Sequence, residues 1–337
     1  MSVKQETSTE AYEKGSLANA IGEPVMIVPK RTPEEKRNVA RNRRIEFAWA
    51  LLYMLPALII FIAFTYIPFF RAIYLSFFIT DAKGDPVKFN DVKYYSRILN
   101  LDDSGRSEYL RSIWTTIIFT IMVVPLGIIA SLALAVLATA KVQIIGVFRT
   151  IFTSSVAISV ASAAVIWSLI YSPNVKVTQW LIDLLQIKST TLLNDALTAL
   201  PAVAFMTIWT SLGFNFIITL SGIQAIPQDL YESGLIDGAG GWKAFRFITL
   251  PLLTPTLLFL FVISVISSFQ AFTQFNVLVG NEGPDGTTNV LVYTIFTAFW
   301  KDNRYGFASA LSVVLFVVLL VLTFIQFKSL DRKVHYQ

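Results

Sequence analysis

The sequence predicts an all-α, polytopic membrane protein with six transmembrane helices, and three observations carry that prediction. Hydrophobic residues make up 55% of the 337-residue chain and charged residues only 15%, where soluble globular chains hold about 25% charge. Six apolar stretches are each long enough to cross a hydrocarbon core about 30 Å thick, which takes roughly 20 helical residues at about 1.5 Å rise. None of the six contains Lys, Arg, Asp or Glu, as the cost of charge at the bilayer centre demands. A soluble enzyme, a disordered chain and a disulfide scaffold are excluded together. With no cysteine there is no thiolate nucleophile or thiolate metal site, and the single histidine, His335, stands in the charged C-terminal tail. No catalytic, cofactor or metal site is expected.

The predicted spans run over 47–70, 112–138, 151–171, 199–223, 250–275 and 307–327. Lys30, Arg31, Lys36, Arg37, Arg41, Arg43 and Arg44 precede the first, and Lys141 and Arg149 lie between the second and third. Lys328, Arg332 and Lys333 outnumber Asp331 after the last. The intervening stretches 81–111 and 172–194 carry both signs. The positive-inside rule therefore puts both termini in the cytoplasm, which an even number of spans requires. Residues 1–44 read as a polar, disordered cytoplasmic extension without a signal peptide, 45–330 as the membrane domain and 331–337 as a cytoplasmic tail. The net charge of +5 is mostly this topology rather than a nucleic-acid surface. Trp167 and Tyr171 are expected to anchor the outer membrane interface.

The connection between spans four and five holds most of the information. Pro227 marks a helix start, and Gln228 and Asp229 complement its dipole. Leu230, Gly234 and Leu235 recur on one face, with Glu232, Ser233 and Asp237 largely on another. Asp237-Gly238 and Gly240-Gly241 end the helix and allow a reversal, after which Trp242, Phe245 and Phe247 restart an apolar pattern. Pro251 and Pro255 bend or begin the next span. A short cytoplasmic helix of this kind fits a partner's groove, where Gly234, Gly238 and Ala239 would permit close approach. Equally, it fits the membrane surface, with Asp237 as a turn residue.

Residues 232–240, Glu-Ser-Gly-Leu-Ile-Asp-Gly-Ala-Gly, followed by Phe245, Ile248 and Leu250-Pro251, resemble the EAA loop of ATP-binding-cassette importer permeases of the carbohydrate type. Ser233-Gly234 replaces the usual Ala-Ala. The resemblance extends over 45–337: Arg71–Phe78 looks like the end of the family's first helix, and Gly283-Pro284 with Thr287-Thr288 like its external Gly-Gly-Pro loop. Asn281-Glu282 stand where another glycine is expected, and Phe152-Thr153-Ser154-Ser155 where a Leu-Pro pair is expected. Tyr305–Ser312 and the tail look most like the first of two permeases, the type that carries oligosaccharides or sn-glycerol 3-phosphate. The resemblance implies a type I importer permease in a prokaryotic inner membrane. Its partners would be a second permease, two ATPase subunits and an extracytoplasmic solute-binding protein. The 228–243 loop would couple to the ATPases through Glu232, Ser233, Gly234, Asp237, Gly238 and Ala239.

No Gly-x-x-x-x-Gly-Lys-Ser/Thr phosphate loop is present. Nor do the spans hold the acidic or basic residue that an ion-coupled carrier uses. Energy from a separate ATPase subunit accounts for both. A stand-alone carrier or channel, and an integral-membrane enzyme acting on lipid, are the alternatives; the latter lacks clustered carboxylates or histidine at an interface. Candidate contacts to a small-molecule solute are Asn215 in span four, Gln270, Gln274 and Asn276 towards the end of span five, and aromatic faces such as Trp209 and Phe272. Intramembrane amides also bond neighbouring helices. The absence of cations in the spans, with only Arg71 nearby, tilts the expected substrate towards a neutral sugar, with glycerol phosphate still open.

Overall fold

The computed structural model of the chain describes residues 33–99, 108–139, 145–187, 189–280 and 282–330. By packing, the chain divides into two compact units, Met1–Pro68 and Phe69–Gln337. In the first unit, helix α1 (Pro33–Phe61) passes through a wider π-helical turn at Ile62–Tyr66. It begins inside the stretch expected to be disordered, with Pro33 suited to a first helical position; residues 1–32 lie outside the described ones. Phe47, Tyr53 and Phe64 on this helical stretch are exposed.

The second unit contains α2 (Ile67–Leu75) from Phe69 onward, then a hairpin of β1 (Phe78–Thr80) and β2 (Pro86–Phe89), and α3 (Lys93–Leu99). The two strands pair antiparallel. The Asp81 carboxylate closes the turn by accepting from the backbone N–H groups of Lys83 and Asp85, each at 2.9 Å. This hairpin stands in a region read from sequence only as a mixed-charge loop. Its signal was the Asp81…Gly84-Asp85 turn, with Gly84 at φ +85°.

Three long helices form the frame: α4 (Glu108–Leu137), α8 (Ala199–Gln224) and α15 (Tyr305–Leu330). They match the second, fourth and sixth predicted spans. Between α4 and α8 come α5 (Ile145–Thr153), α6 (Val160–Ile170) and α7 (Lys176–Leu184); after α8 come α9 (Gln228–Ile236), α10 (Gly241–Ala244), α11 (Leu250–Leu252), α12 (Thr254–Phe269), α13 (Thr273–Leu278) and α14 (Leu291–Phe296). The helix α4 packs along α8 and against α12. Small and hydroxylated residues line this seam: Gly127 faces Ser211 and Asn215, and Ala135 and Ala138 pack with Phe216, Leu220 and Ile223. Without a hydrophobic drive between helices in lipid, such close approach provides the association.

The third predicted span, 151–171, is not one straight helix. Helix α5 and the 3₁₀ turn Ser154–Ala157 meet α6 at 104°. The physical cause is a run of hydroxyls that compete for helical backbone groups. Ser154 Oγ donates to Ile151 O at 2.7 Å and Ser155 Oγ to Phe152 O at 3.1 Å, while Ser159 caps α6 by accepting from Ser162 N–H. The bend fits against α8 because Gly213 has no side chain; a Cβ there would stand 2.3 Å from Ser155 Oγ and 2.9 Å from Phe152 O. The fifth span also differs from its predicted 250–275 limits. Residues Gly241–Leu252 meet α12 at 63°, and α12 ends at Phe269 before the separate helix α13. Pro251 and Pro255 remove ladder hydrogen bonds at that bend. The described residues thus hold four helices long and apolar enough to cross a membrane, or six if each bent pair is one span.

The bend in the third span also relocates its aromatics. Helix α6 has 11 residues, about 16 Å of rise, and its end turns into the protein. Tyr171 is buried and its hydroxyl donates to Ala202 O at 2.8 Å. The Trp167 ring packs among Tyr171, Phe205 and Trp209, with centroids 5.3, 5.4 and 5.8 Å away. Both therefore build a core rather than anchoring an interface, correcting the expectation from sequence.

Candidate functional site

The 228–250 segment folds as a helix held against the turn that follows it. Pro227 is the N-cap of α9 and Asp229 lies in its first turn, as the sequence predicts. Tyr231 Oη and Thr249 Oγ1 lie 2.9 Å apart in a hydrogen bond, tying α9 to the π-helical turn Phe245–Thr249. Gly234 sets the distance: a Cβ there would come 2.8 Å from Ile248 Cδ1. The helix ends in a reversal in which Ala239 N–H donates to Gly234 O at 2.8 Å and Gly238 N–H to Leu235 O at 3.1 Å. Gly238 sits at φ +76° with nothing within 4 Å of an added Cβ. It serves the left-handed turn, where a side chain is strained.

These contacts redistribute the roles read from sequence. The inward face is Tyr231 and Gly234, not the Leu230, Gly234 and Leu235 set. Leu230, Leu235 and Ile236 are exposed, and so are Trp242 and Phe247. The glycine at 234 is used against the chain's own Ile248, so it does not present a bare backbone to a partner. Glu232 and Asp237 are exposed; Gln228 Nε2 donates to Glu232 Oε1 at 3.0 Å, and Asp237 is the C-cap. Ser233 Oγ donates to Asp229 O at 2.9 Å, and Ala239 is half-buried beneath the turn. Tyr231, Ile248 and Thr249 were missed as functional support because their partners are 14 to 18 residues away by chain.

The candidate path residues do not form one cluster. Trp209 and Phe272 both pack against a core that contains Phe119, Ala163, Val203, Ala271 and Phe275. Gln270 is exposed at the C-cap of α12, and Gln274 is buried on α13, where Asn276 is exposed. Asn215 is buried further along α8, its amide 3.7 Å from a Cβ position on Gly127. It belongs to the α4–α8 seam, apart from the broken region near 270. The broken helices place backbone, amides and aromatic faces beside one another there, as irregular backbone at membrane depth requires a protein or aqueous lining. Among the described residues, no group of three or more His, Asp or Glu side chains is placed to hold a metal ion.

The family model for "binding-protein-dependent transport system inner membrane component" matches residues 103–336. The chain belongs to this family. Like its members it is a permease component of an importer in the inner membrane, and not an enzyme. It is 30% identical over 283 residues to the sn-glycerol-3-phosphate transport system permease protein UgpA of Brucella abortus biovar 1, an alignment covering 83% of this chain and 94% of that protein. It is 31% identical over 278 residues to the trehalose/maltose transport system permease protein MalF of Thermococcus litoralis, covering 82% and 92%. A solved bacterial ABC transporter involved in import of the acidic polysaccharide alginate has a chain with the same fold, at a TM-score of 0.72 and 24% identity over 86% of this chain and 98% of that one. A second structure, the alginate transporter in complex with a pentasaccharide-bound periplasmic protein, matches at a TM-score of 0.69 and 22% identity, over 84% and 94%. The six-span, type I permease reading therefore stands, with its third and fifth spans bent.

Proposed function

We propose that this permease forms one half of the translocation path for a carbohydrate or sn-glycerol 3-phosphate, and that helix α9 with its following turn transmits the motion of a separate ATPase. A second permease would complete the path and an extracytoplasmic binding protein would deliver solute. Both termini lie in the cytoplasm on the positive-inside reading. Relatives named for sn-glycerol 3-phosphate and for trehalose/maltose transport support the substrate class. The lack of cations in the spans favours a neutral sugar between them.

One observation carries the coupling role. Leu235, Ile236 and Trp242 are exposed at the tip of a segment whose base is fixed by the Tyr231–Thr249 bond and the Gly234–Ile248 contact. A rigid helix with an unburied apolar tip is suited to a partner's groove, with Glu232 and Asp237 supplying charge at its rim. Gln270, Gln274 and Asn276, with Trp209, would meet the solute at the broken region near 270. Asn215 would contribute only where the α4–α8 seam opens.

The test is co-purification and uptake. Replacing Glu232 and Gly238 together should detach the ATPase subunits and abolish ATP-driven uptake; retention of both would refute the coupling role. Because the chain has no cysteine, single cysteines at 238 and 83 probed with an impermeant maleimide would read the orientation directly. Solute identity would follow from which sugar or phosphate stabilises the binding protein.

A further inference from the structure

The third span is followed by a helix that meets three environments. Helix α7 (Lys176–Leu184) has 9 residues, each turned about 100° from the last. Thr178, Leu181 and Ile182 fall within about 100° of one another around its axis. Thr178 is buried, and Leu181 and Ile182 pack against the core that contains Ala163, Met206, Ala271 and Phe275. Val177, Trp180 and Leu184 fall within about 60°, and all three are exposed. Lys176, Gln179 and Asp183 share a third sector of about 60°, and they are exposed as well. One face is therefore packed on protein, one is open and apolar, and one is open and polar.

The end of α6 fixes the position of this helix. Thr178 Oγ1 donates to Ile170 O, Gln179 Nε2 to Pro173 O at 2.7 Å, and Val175 N–H to Ser172 O at 3.1 Å. Val165, Ile166 and Leu169 on α6 are exposed too. The open apolar stripe of α7 thus follows directly on the open apolar surface of the third span.

The chemistry of the stripe identifies what covers it. Open apolar surface rimmed by polar residues marks contact with protein or membrane. A helix bathed in water would not leave a tryptophan between two aliphatic side chains in the open, and one within the hydrocarbon core would not carry Lys176, Gln179 and Asp183 outward. A helix lying at the boundary needs both faces. Trp180 suits that depth, with an apolar ring and an N–H that reaches polar headgroups. Trp167 and Tyr171, which the sequence offered for this role, are turned into the core, and Trp180 takes it over.

We propose that α7 is an interfacial helix, seated through Val177, Trp180 and Leu184 in the headgroup–acyl boundary of the extracytoplasmic leaflet, with phospholipid as its partner. The choice of leaflet rests on the orientation given above, which puts 172–194 outside. Leu181 and Ile182 pack on the same core as Trp209 and Phe272, so the helix holds the wall behind the candidate solute contacts at a fixed depth.

The chain has no cysteine, so the test places single nitroxide labels at Trp180→Cys and Asp183→Cys in the complete transporter in lipid nanodiscs. Oxygen, which partitions into lipid, should relax the label at 180 severalfold more than a water-soluble nickel chelate does, and the label at 183 should show the reverse. Val177→Cys and Leu184→Cys should repeat the result at 180, so that one poorly folded variant does not decide the outcome. Equal nickel access at 180 and 183 would overturn the proposal, because the stripe would be solvated by water. So would a label at 180 shielded from both reagents, which would mean that another subunit covers it, or one shielded only after a solute-binding protein is added. The leaflet is read separately: an impermeant maleimide should reach Asp183→Cys from the extracytoplasmic face of sealed vesicles. Reaction only from the cytoplasmic face would overturn the orientation and the leaflet named here, whereas the oxygen-against-nickel contrast decides the interfacial seat by itself.

Discussion

Two turns of this permease are built alike and end differently. The 228–250 segment and the 279–304 connection each combine a short helix, a glycine reversal and a π-helical turn. In the first, Leu235 is 67%, Trp242 75% and Ile236 87% exposed; in the second, Leu291 is 0% and Tyr293 1% exposed. The second is closed by its own chain: Tyr293 Oη donates to Gly280 O at 2.9 Å, Leu291 N–H donates to Thr116 Oγ1 at 2.9 Å, and Arg111 donates to Asp285 O. The first is closed only at its base. On the proposed function, the apolar surface left open on this firmly held helix is what another subunit would cover, whereas the buried Leu291 and Tyr293 contribute to the stability of this one.

The largest effect is expected just past the closed connection, at the start of α15. A Cβ on Gly306 would stand 2.1 Å from Phe78 O and 3.1 Å from Leu75 O, so Gly306→Val should destabilise the permease by about 3 kcal/mol, seen as a lowered unfolding midpoint in detergent. At the open end the sign of the comparison reverses. Leu235→Glu should leave that midpoint unchanged and weaken ATPase association by about 2 kcal/mol, roughly thirtyfold, read by titration of the purified subunit. A shift in stability without a loss of association would contradict the assignment of this face.

Thr116→Val sharpens the contrast on the closed side. It strands the buried Leu291 N–H and should cost about 1.5 kcal/mol of stability, with faster hydrogen exchange confined to 288–296. The smallest effect is expected at Gly238→Ala. Its φ of +76° lies in the left-handed region, so the cost is about 1 kcal/mol locally. The measurement is an uptake assay alongside hydrogen exchange over 234–240: exchange should rise there, with uptake reduced only as far as the helix end frays.

The straight spans were legible because their signal is local. About 20 predominantly apolar residues without charge define a helix in lipid whatever the rest of the chain does. The motif at 232–251 was legible for the same reason, as a contiguous run. The bend at 154–159 was visible only in part: Thr153-Ser154-Ser155 stood out as a departure, but a serine in a helix often bonds back without ending it. Gly213 on another helix makes room for the bend. Tyr171 shows the same limit. Beside the end of a straight span it reads as an interface anchor, and once α6 turns inward it becomes a buried donor to Ala202.

The sequence by itself determined that this chain lives in a membrane, how many apolar segments it has and which loop carries the family's motif. Those properties depend on composition and short-range order. The tertiary structure decided which faces remain open. It turned Gly234 inward onto Ile248, left Leu235 and Ile236 outward, and set Arg97 over the Phe307 ring across more than 200 residues of chain. Exposure and convergence of this kind come from long-range packing, and periodicity along one helix cannot specify them when lipid, protein and partner subunit all present apolar surface to the same side chains.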